Sequence, residues 1–156
     1  MNNIVVNLNI PSLSQKEISA FLNKVNYLFI PSLSSRLDIN EYSQQLSEKA
    51  THFTVYKGNK LLAFLACYFN NQQTKIGYIT TLSTLAEYKG IGLGSQLIDE
   101  VIKYGKANNF KEIKLEVHKD NLVALNFYKR KGFFVVAQKL SNYLMRYSLI
   151  ENESIC

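Results

Sequence analysis

Glycine alternates with apolar residues in the segment Glu87-Tyr88-Lys89-Gly90-Ile91-Gly92-Leu93-Gly94-Ser95. The apolar run before it, Gly77 to Leu85, is typical of a strand, and the periodic run after it, Ser95 to Asn108, is typical of a helix. A helix start leaves about four backbone N–H groups without intrahelical partners and carries a partial positive charge. Glycine lets an anion approach the backbone because it has no Cβ. The segment therefore predicts a phosphate site at the start of a helix.

Two well-known phosphate loops do not match this segment. A nucleotide P-loop needs lysine and then serine or threonine after its last glycine, and Gly94 is followed directly by Ser95. A dinucleotide fingerprint needs G-x-G-x-x-G, and that spacing ends on Ser95 or Leu97 instead of glycine. By itself the segment is also compatible with a flexible turn that binds nothing.

A second group of residues follows about thirty positions later. After Leu115-Glu116-Val117 the chain reads Asn121-x-x-Ala124-x-x-Phe127-Tyr128-x-x-x-Gly132-Phe133. The two groups in this order resemble the signatures of the GCN5-related N-acetyltransferase (GNAT) family. The resemblance is close over residues 74–134. Lys89 departs from the family pattern, which has glutamine or arginine there, and keeps the charge without the forked geometry of arginine.

The pattern of elements along the chain agrees with this resemblance. A strand over residues 4–8 precedes a helix that begins with the capping box Ser14-Gln15-Lys16-Glu17, and a more polar helix follows over residues 38–49. Three strands, a helix, a strand, a helix and two strands come next. The order predicts an α+β fold with a mixed, mostly antiparallel sheet of about seven strands and four helices. The resemblance implies the acyl-CoA N-acyltransferase fold, as a single domain over residues 1–156.

The resemblance also implies acetyl-CoA as the cosubstrate, with no metal. Backbone amides from Lys89 to Ser95 would hold the pyrophosphate, Asn121 would hold the cofactor arm, and the basic run 129–131 would meet phosphate. The edge of the preceding strand would pair with the pantetheine chain as an added strand does. The expected cofactor residues are Leu82, Thr84, Lys89, Gly90, Ile91, Gly92, Leu93, Gly94, Ser95, Asn121 and Lys129.

Two side chains are expected to carry the chemistry of acetyl transfer to an amine. The resemblance assigns Tyr128 as the general acid near the coenzyme sulfur. On an isolated helix, an aromatic residue beside Phe127 would instead be interpreted as part of the hydrophobic core. The general base is less directly indicated, since the strand before the glycine segment offers no carboxylate. Glu116 on the next strand is the expected base, and a solvated strand carboxylate is the alternative. His118 is a weaker candidate for the base, and His52 is expected to be structural or exposed.

The proton on the acceptor limits which amines suit such a site. A lysine amine with a pKa of about 10.4 is neutral in roughly one molecule in 2,500 at pH 7, which costs about 4.6 kcal/mol, whereas an α-amine near 7.8 costs about 1 kcal/mol. With one base, the sequence favours a primary amine of low pKa. We expect a small molecule or amino sugar first and a peptide N-terminus next. A non-catalytic acyl-CoA-binding or regulatory domain is the alternative function.

Composition excludes other classes of protein. The chain has 156 residues, 47% hydrophobic and 19% charged, and no apolar run long enough for a membrane span or a signal sequence. The net charge is +6, but the basic residues are spread along the chain, so no nucleic-acid partner is expected. Cys67 and Cys156 form no disulfide framework, which agrees with a cytoplasmic location. Edge strands in such a sheet are compatible with a homodimer.

Overall fold

The computed structural model describes residues 5–8, as backbone only, and residues 12–150. The strands are β1 (Val5–Leu8), β2 (Thr51–Lys57), β3 (Lys60–Tyr68), β4 (Ile76–Thr84), β5 (Glu112–His118), β6 (Phe134–Gln138) and β7 (Asn142–Ser148). The helices are α1 (Gln15–Val25), α2 (Ile39–Lys49), α3 (Leu93–Ala107) and α4 (Leu122–Arg130). The predicted α+β order and fold are confirmed. Ile4 and Cys156 lie outside the described residues.

One mixed sheet runs through the molecule in the order β1-β2-β3-β4-β5-β7-β6. All neighbouring strands are antiparallel except β4 and β5, which are parallel. Their pairing covers only the first three residues of each strand, from Ile76 opposite Glu112 to Tyr78 opposite Lys114. Beyond Tyr78 the two strands no longer pair. The sheet therefore opens between the second half of β4 and the second half of β5.

Helices cover the centre of the sheet on both faces. The side chains of β3 from Leu62 to Cys67 are all buried, which requires packing on each side of the strand. On one face Phe64 packs edge-on against Phe21 of α1, with ring centroids 6.5 Å apart. On the other face Phe53 of β2 packs against Tyr104 of α3 at 5.6 Å. The core lies in these two layers.

Local signals in the sequence account for the helix starts. The capping box at Ser14 is present, with the serine hydroxyl accepting from the Glu17 N–H and the Glu17 carboxylate accepting from the Ser14 N–H. Helix α3 begins at Leu93, two residues earlier than expected, because Gly92 adopts a left-handed conformation and serves as its N-cap. Gly94 and Ser95 consequently lie in the first turn of α3.

No helix within residues 12–150 combines the length and the apolar character needed to cross a bilayer.

Candidate functional site

Two cavities meet where the sheet opens between β4 and β5. The larger has a volume of about 840 Å³ and lies beside the glycine segment and the start of α3. The smaller has a volume of about 480 Å³ and lies over the second half of β5, the turn before β7 and residues 29–37. The residues that line both are Phe29, Ile30, Leu82, Asn121, Ala124 and Tyr128. Two molecules bound in these cavities would therefore meet at α4 and β4.

The glycine segment forms one wall of the larger cavity. Gly90 has a φ of 81° and Gly92 a φ of 90°, both in the left-handed region that side chains disfavour. A Cβ at either position would have no described atom within 4 Å, so the backbone here is open to a ligand. No side chain caps the N-terminus of α3. The first N–H groups of this helix are therefore able to donate hydrogen bonds to an anion such as a diphosphate.

The structure brings most of the expected cofactor residues together at the larger cavity. Those that line it are Leu82, Thr84, Lys89, Gly90, Gly92, Leu93, Gly94, Ser95 and Asn121. Ile91 and Lys129 are not among the lining residues, and the Ile91 side chain is exposed. The residues of α4 and its C-cap that line the cavity form two adjacent rows with the spacing i, i+4, i+7, which are Val123, Phe127 and Arg130 in one and Ala124, Tyr128 and Lys131 in the other. Lys129 falls outside both rows.

Two basic residues next to Lys129 line the larger cavity instead. They are Arg130 and Lys131. The Lys131 ammonium donates to the Ser95 hydroxyl at 2.8 Å and to the Asp99 carboxylate at 2.6 Å. This contact fastens the end of α4 to the start of α3. The sequence contained the basic run, but only the helix phase shows which members face the cavity.

The free edge of β4 presents backbone groups to the opening. The Leu85 N–H donates to the Leu62 carbonyl of β3, and backbone groups of successive residues in a strand point in alternate directions. Leu82 and Thr84 therefore direct their N–H and C=O groups away from β3, as strand addition by a ligand requires. At Thr80 the Tyr42 hydroxyl donates to the carbonyl at 3.0 Å, and burial raises the pKa of that hydroxyl to about 12.

Glu116 lines the smaller cavity and has one described side chain near each of its oxygens. The Tyr78 hydroxyl donates to Oε2 at 3.1 Å, and the Lys139 ammonium lies 2.5 Å from Oε1. Among the described residues that line this cavity, Glu116 is the only aspartate or glutamate. Burial, followed by the nearby Glu116 charge, raises the pKa of Tyr78 well above its usual value. Tyr78 therefore stays protonated and acts as a donor to Glu116.

Tyr128 stands between the two cavities. Its ring is half-buried and packs edge-on against Phe127 at 5.2 Å and Phe133 at 5.7 Å. Burial raises the pKa of the hydroxyl well above 10, so it is protonated at neutral pH. A protonated hydroxyl where two ligands meet can donate a proton to a leaving group.

Asn121 has a structural contact of its own. Its side-chain oxygen accepts from the Ala124 N–H at 3.2 Å and caps α4. This bond fixes the first turn of the helix that carries Tyr128. Among the described residues the Asn121 side-chain nitrogen has no hydrogen-bond partner, which leaves it able to donate to a ligand.

The two histidines have different environments. His118 lines the smaller cavity two residues after Glu116, and its Nδ1 accepts from the Asp120 N–H at 3.1 Å. His52 is buried, with Nδ1 accepting from the Leu13 N–H at 3.0 Å and Nε2 lying 2.7 Å from the Leu46 carbonyl. His52 is thus structural, as expected, and not exposed. Within residues 12–150 no group of three His, Cys, Asp or Glu side chains is placed to hold a metal.

Tyr78 and Lys139 lie at this site but were not among the predicted residues. Tyr78 sits at the last paired position of β4, and Lys139 lies between β6 and β7. Nothing in the local sequence around either residue indicates contact with Glu116. Their partnership depends on the parallel register of β4 with β5 and on the return of β7 beside β5, which only the assembled sheet defines.

The geometry agrees with comparisons to known proteins. A family model described as the acetyltransferase (GNAT) family matches residues 20–133. Among curated proteins, the N-alpha-acetyltransferase MAK3 of Arabidopsis thaliana is 31% identical over 94 residues, which is 60% of this chain and 49% of that protein. The chain spans about half the length of such curated relatives.

Solved structures show the same fold at low identity. The PaiA N-acetyltransferase of Thermoplasma acidophilum in complex with coenzyme A superposes with a TM-score of 0.72 at 16% identity, covering 94% of this chain and 99% of that one. Arabidopsis thaliana NAA60 in complex with a bisubstrate analogue gives a TM-score of 0.70 at 18% identity, covering 94% and 98%.

Proposed function

The chain belongs to the GNAT family of acetyltransferases, and on this premise we propose that it is an acetyl-CoA-dependent N-acetyltransferase. The observation that carries the proposal is the junction of two cavities at Tyr128, with an open glycine turn in one and a held carboxylate in the other. Acetyl-CoA supplies an acetyl group activated as a thioester. The larger cavity fits its phosphates, because the α3 N-terminus is uncapped and Arg130 adds positive charge, while the charge of Lys131 is shared with Asp99.

The residues of this chain have separate roles in the proposed transfer. The first amides of α3 and the lining residues around them bind the phosphates, and the free edge of β4 at Leu82 and Thr84 aligns the pantetheine arm. Glu116, oriented by Tyr78, takes a proton from the acceptor ammonium in the smaller cavity. Tyr128 keeps its own proton at neutral pH and would donate it to the thiolate that leaves as the amine nitrogen bonds to the acetyl carbon, and the second proton that this nitrogen loses would restore Tyr128. The apolar side chains of Phe29 and Ile30 reduce water at the junction.

The acceptor we propose is an α-amine or another amine of low pKa. One carboxylate serves as the base, and an amine near pKa 7.8 needs about 1 kcal/mol to lose its proton at pH 7, against about 4.6 kcal/mol for a lysine side chain. From the sequence alone, a small molecule or amino sugar is the favoured acceptor and a peptide N-terminus is the next. The curated relatives named N-alpha-acetyltransferases favour the peptide N-terminus instead.

Two measurements test the proposal. Calorimetric titration with acetyl-CoA is expected to show binding, and thiol release with a panel of amines is expected to show faster turnover of N-terminal amines than of lysine side chains. The panel pairs a lysine-free peptide that has a free N-terminus with a peptide of otherwise the same sequence. The second peptide has an acetylated N-terminus and one internal lysine. Faster turnover of lysine would contradict the proposed acceptor. Binding of acetyl-CoA without transfer to any amine would favour the non-catalytic alternative.

A further inference from the structure

Lys139 forms an ion pair with the Glu116 carboxylate, which is the proposed base for the acceptor. Its ammonium lies 2.5 Å from Glu116 Oε1, while the Tyr78 hydroxyl occupies Oε2. Oε2 therefore accepts a hydrogen bond, whereas Oε1 accepts none from the described residues and is compensated by the Lys139 charge. The side chain of Lys139 is 62% exposed, whereas that of Glu116 is 25% exposed. The Lys139 side chain can therefore move into solvent while Glu116 stays in the cavity wall.

Two backbone hydrogen bonds hold the turn that carries Lys139. The Lys139 N–H donates to the Asn142 carbonyl at 2.8 Å, and the Ser141 carbonyl accepts from the Lys119 N–H at 2.9 Å. These bonds attach the turn before β7 to the end of β5. Ser141 and Asn142 themselves line the smaller cavity. Lys139 itself is not among the lining residues, and its long side chain reaches Glu116 from beside Ser141 and Asn142.

We propose that Lys139 is an exchangeable counter-ion of Glu116, whose ammonium holds the place that the acceptor's ammonium takes. This inference rests on the proposed function. At pH 7 most of an amine of pKa about 7.8 is protonated, so the acceptor arrives as a cation. The smaller cavity offers that cation a single carboxylate. An ion pair with one exposed partner is weak, so a second ammonium can replace Lys139 at little cost.

Replacement of Lys139 by the acceptor's ammonium group limits which acceptors can bind. The acceptor must carry an aliphatic amine that is cationic when it enters, because only a cation compensates Glu116 for the loss of Lys139. An aromatic amine, neutral at pH 7, is excluded by this requirement. Lys139 also keeps the carboxylate compensated between turnovers. It competes with the acceptor and therefore raises the acceptor KM.

Two substitutions of Lys139 are expected to change the acceptor KM in opposite directions. Lys139→Met removes the competing charge at similar length, and the acceptor KM should fall by about two- to fivefold, the range expected for an exposed ion pair. Lys139→Arg holds the carboxylate with a fork of donors, and the acceptor KM should rise. Lys119→Met is the matched control, because the Lys119 ammonium lies over the Tyr143 ring and not at Glu116. This control should leave the acceptor KM unchanged.

A binding measurement without acetyl-CoA separates this inference from the proposed function. Methylammonium chloride is titrated into protein labelled with ¹³C at glutamate carboxyl groups, and the Glu116 signal is assigned with Glu116→Gln. The dissociation constant for methylammonium should be about two- to fivefold lower in Lys139→Met than in the unsubstituted protein. Equal dissociation constants, or no response of the Glu116 signal, would overturn the inference even if acetyl transfer is observed. A raised or unchanged acceptor KM in Lys139→Met would overturn it as well.

Discussion

The Tyr78 hydroxyl donates a 3.1 Å hydrogen bond to the Glu116 carboxylate at the point where β4 and β5 cease to pair. Tyr78 is the last residue of β4 in the parallel register, and Glu116 lies two residues beyond the last paired residue of β5. The bond therefore spans the apex of the opening in the sheet. It holds Glu116, the proposed base, beside the cavity that we propose for the acceptor.

Removing this bond should slow the proposed reaction. Tyr78→Phe keeps the ring and deletes the donor, and we expect kcat to fall roughly tenfold, since a hydrogen bond to a charged group contributes about 1.5 kcal/mol or more. Steady-state thiol release measures the effect. Tyr143→Phe is the control, because Tyr143 lies on β7 outside both cavities. Equal rates for the two variants would show that Tyr78 does not orient the base.

Tyr128 should behave as an acid that stays protonated across the working pH range. Because burial raises the pKa of its hydroxyl above 10, the donating form persists as the pH rises, and kcat should show no loss due to Tyr128 between pH 7 and about 10. Tyr128→Phe should lower kcat about 100-fold, the lower part of the range for a general acid, with acetyl-CoA affinity retained. A kcat close to that of the unsubstituted protein would remove Tyr128 from the chemistry.

The glycine turn should be required for acetyl-CoA binding. Gly92→Glu places a Cβ at a φ of 90° and a negative charge at the start of α3, and calorimetry should detect no binding. Gly58→Glu is a matched control, since Gly58 also has a positive φ, with open space around it, but lies in the β2–β3 turn. Each substitution should cost about 1–2 kcal/mol of stability from backbone strain. Only Gly92→Glu should abolish binding, and loss of binding in both would implicate strain alone.

His52 should make stability depend on pH. Its Nδ1 accepts from the Leu13 N–H, so Nε2 carries the proton and donates to the Leu46 carbonyl. Burial lowers the pKa of His52, so the folded protein holds it neutral while the unfolded chain titrates near 6.5. Stability is therefore fully present above about pH 6.5 and falls as the pH drops through the folded-state pKa, by up to about 1.4 kcal/mol per pH unit.

The variant His52→Asn isolates this contribution. It keeps an acceptor near the Leu13 N–H but cannot titrate, so it should be less stable than the unsubstituted protein at pH 8 by about 1–3 kcal/mol. The difference should shrink toward pH 5. Urea unfolding at several pH values provides the measurement. A difference that stays constant with pH would mean that His52 does not titrate on unfolding.

Local patterns in the sequence were sufficient to predict the order of elements and the position of the glycine turn. Ser14 with Glu17 and the glycines of residues 90–94 act within a few positions of each other, so local rules of capping and backbone conformation are sufficient to interpret them. The motif that ends in Gly132-Phe133 likewise placed Tyr128 on α4. These features depend on short-range geometry, which is encoded directly in the spacing of residues.

The side chains around Glu116 are brought together by the assembled sheet. Tyr78 and Lys139 approach it from positions 38 residues before and 23 residues after it, through the parallel pairing of β4 with β5 and the antiparallel pairing of β5 with β7. The phase of α4 likewise turned Arg130 and Lys131, but not Lys129, toward the larger cavity. Strand register and helix phase are fixed when the core packs, because burial selects one alignment of each apolar face. Contacts of this kind therefore cannot be derived from the spacing of residues alone.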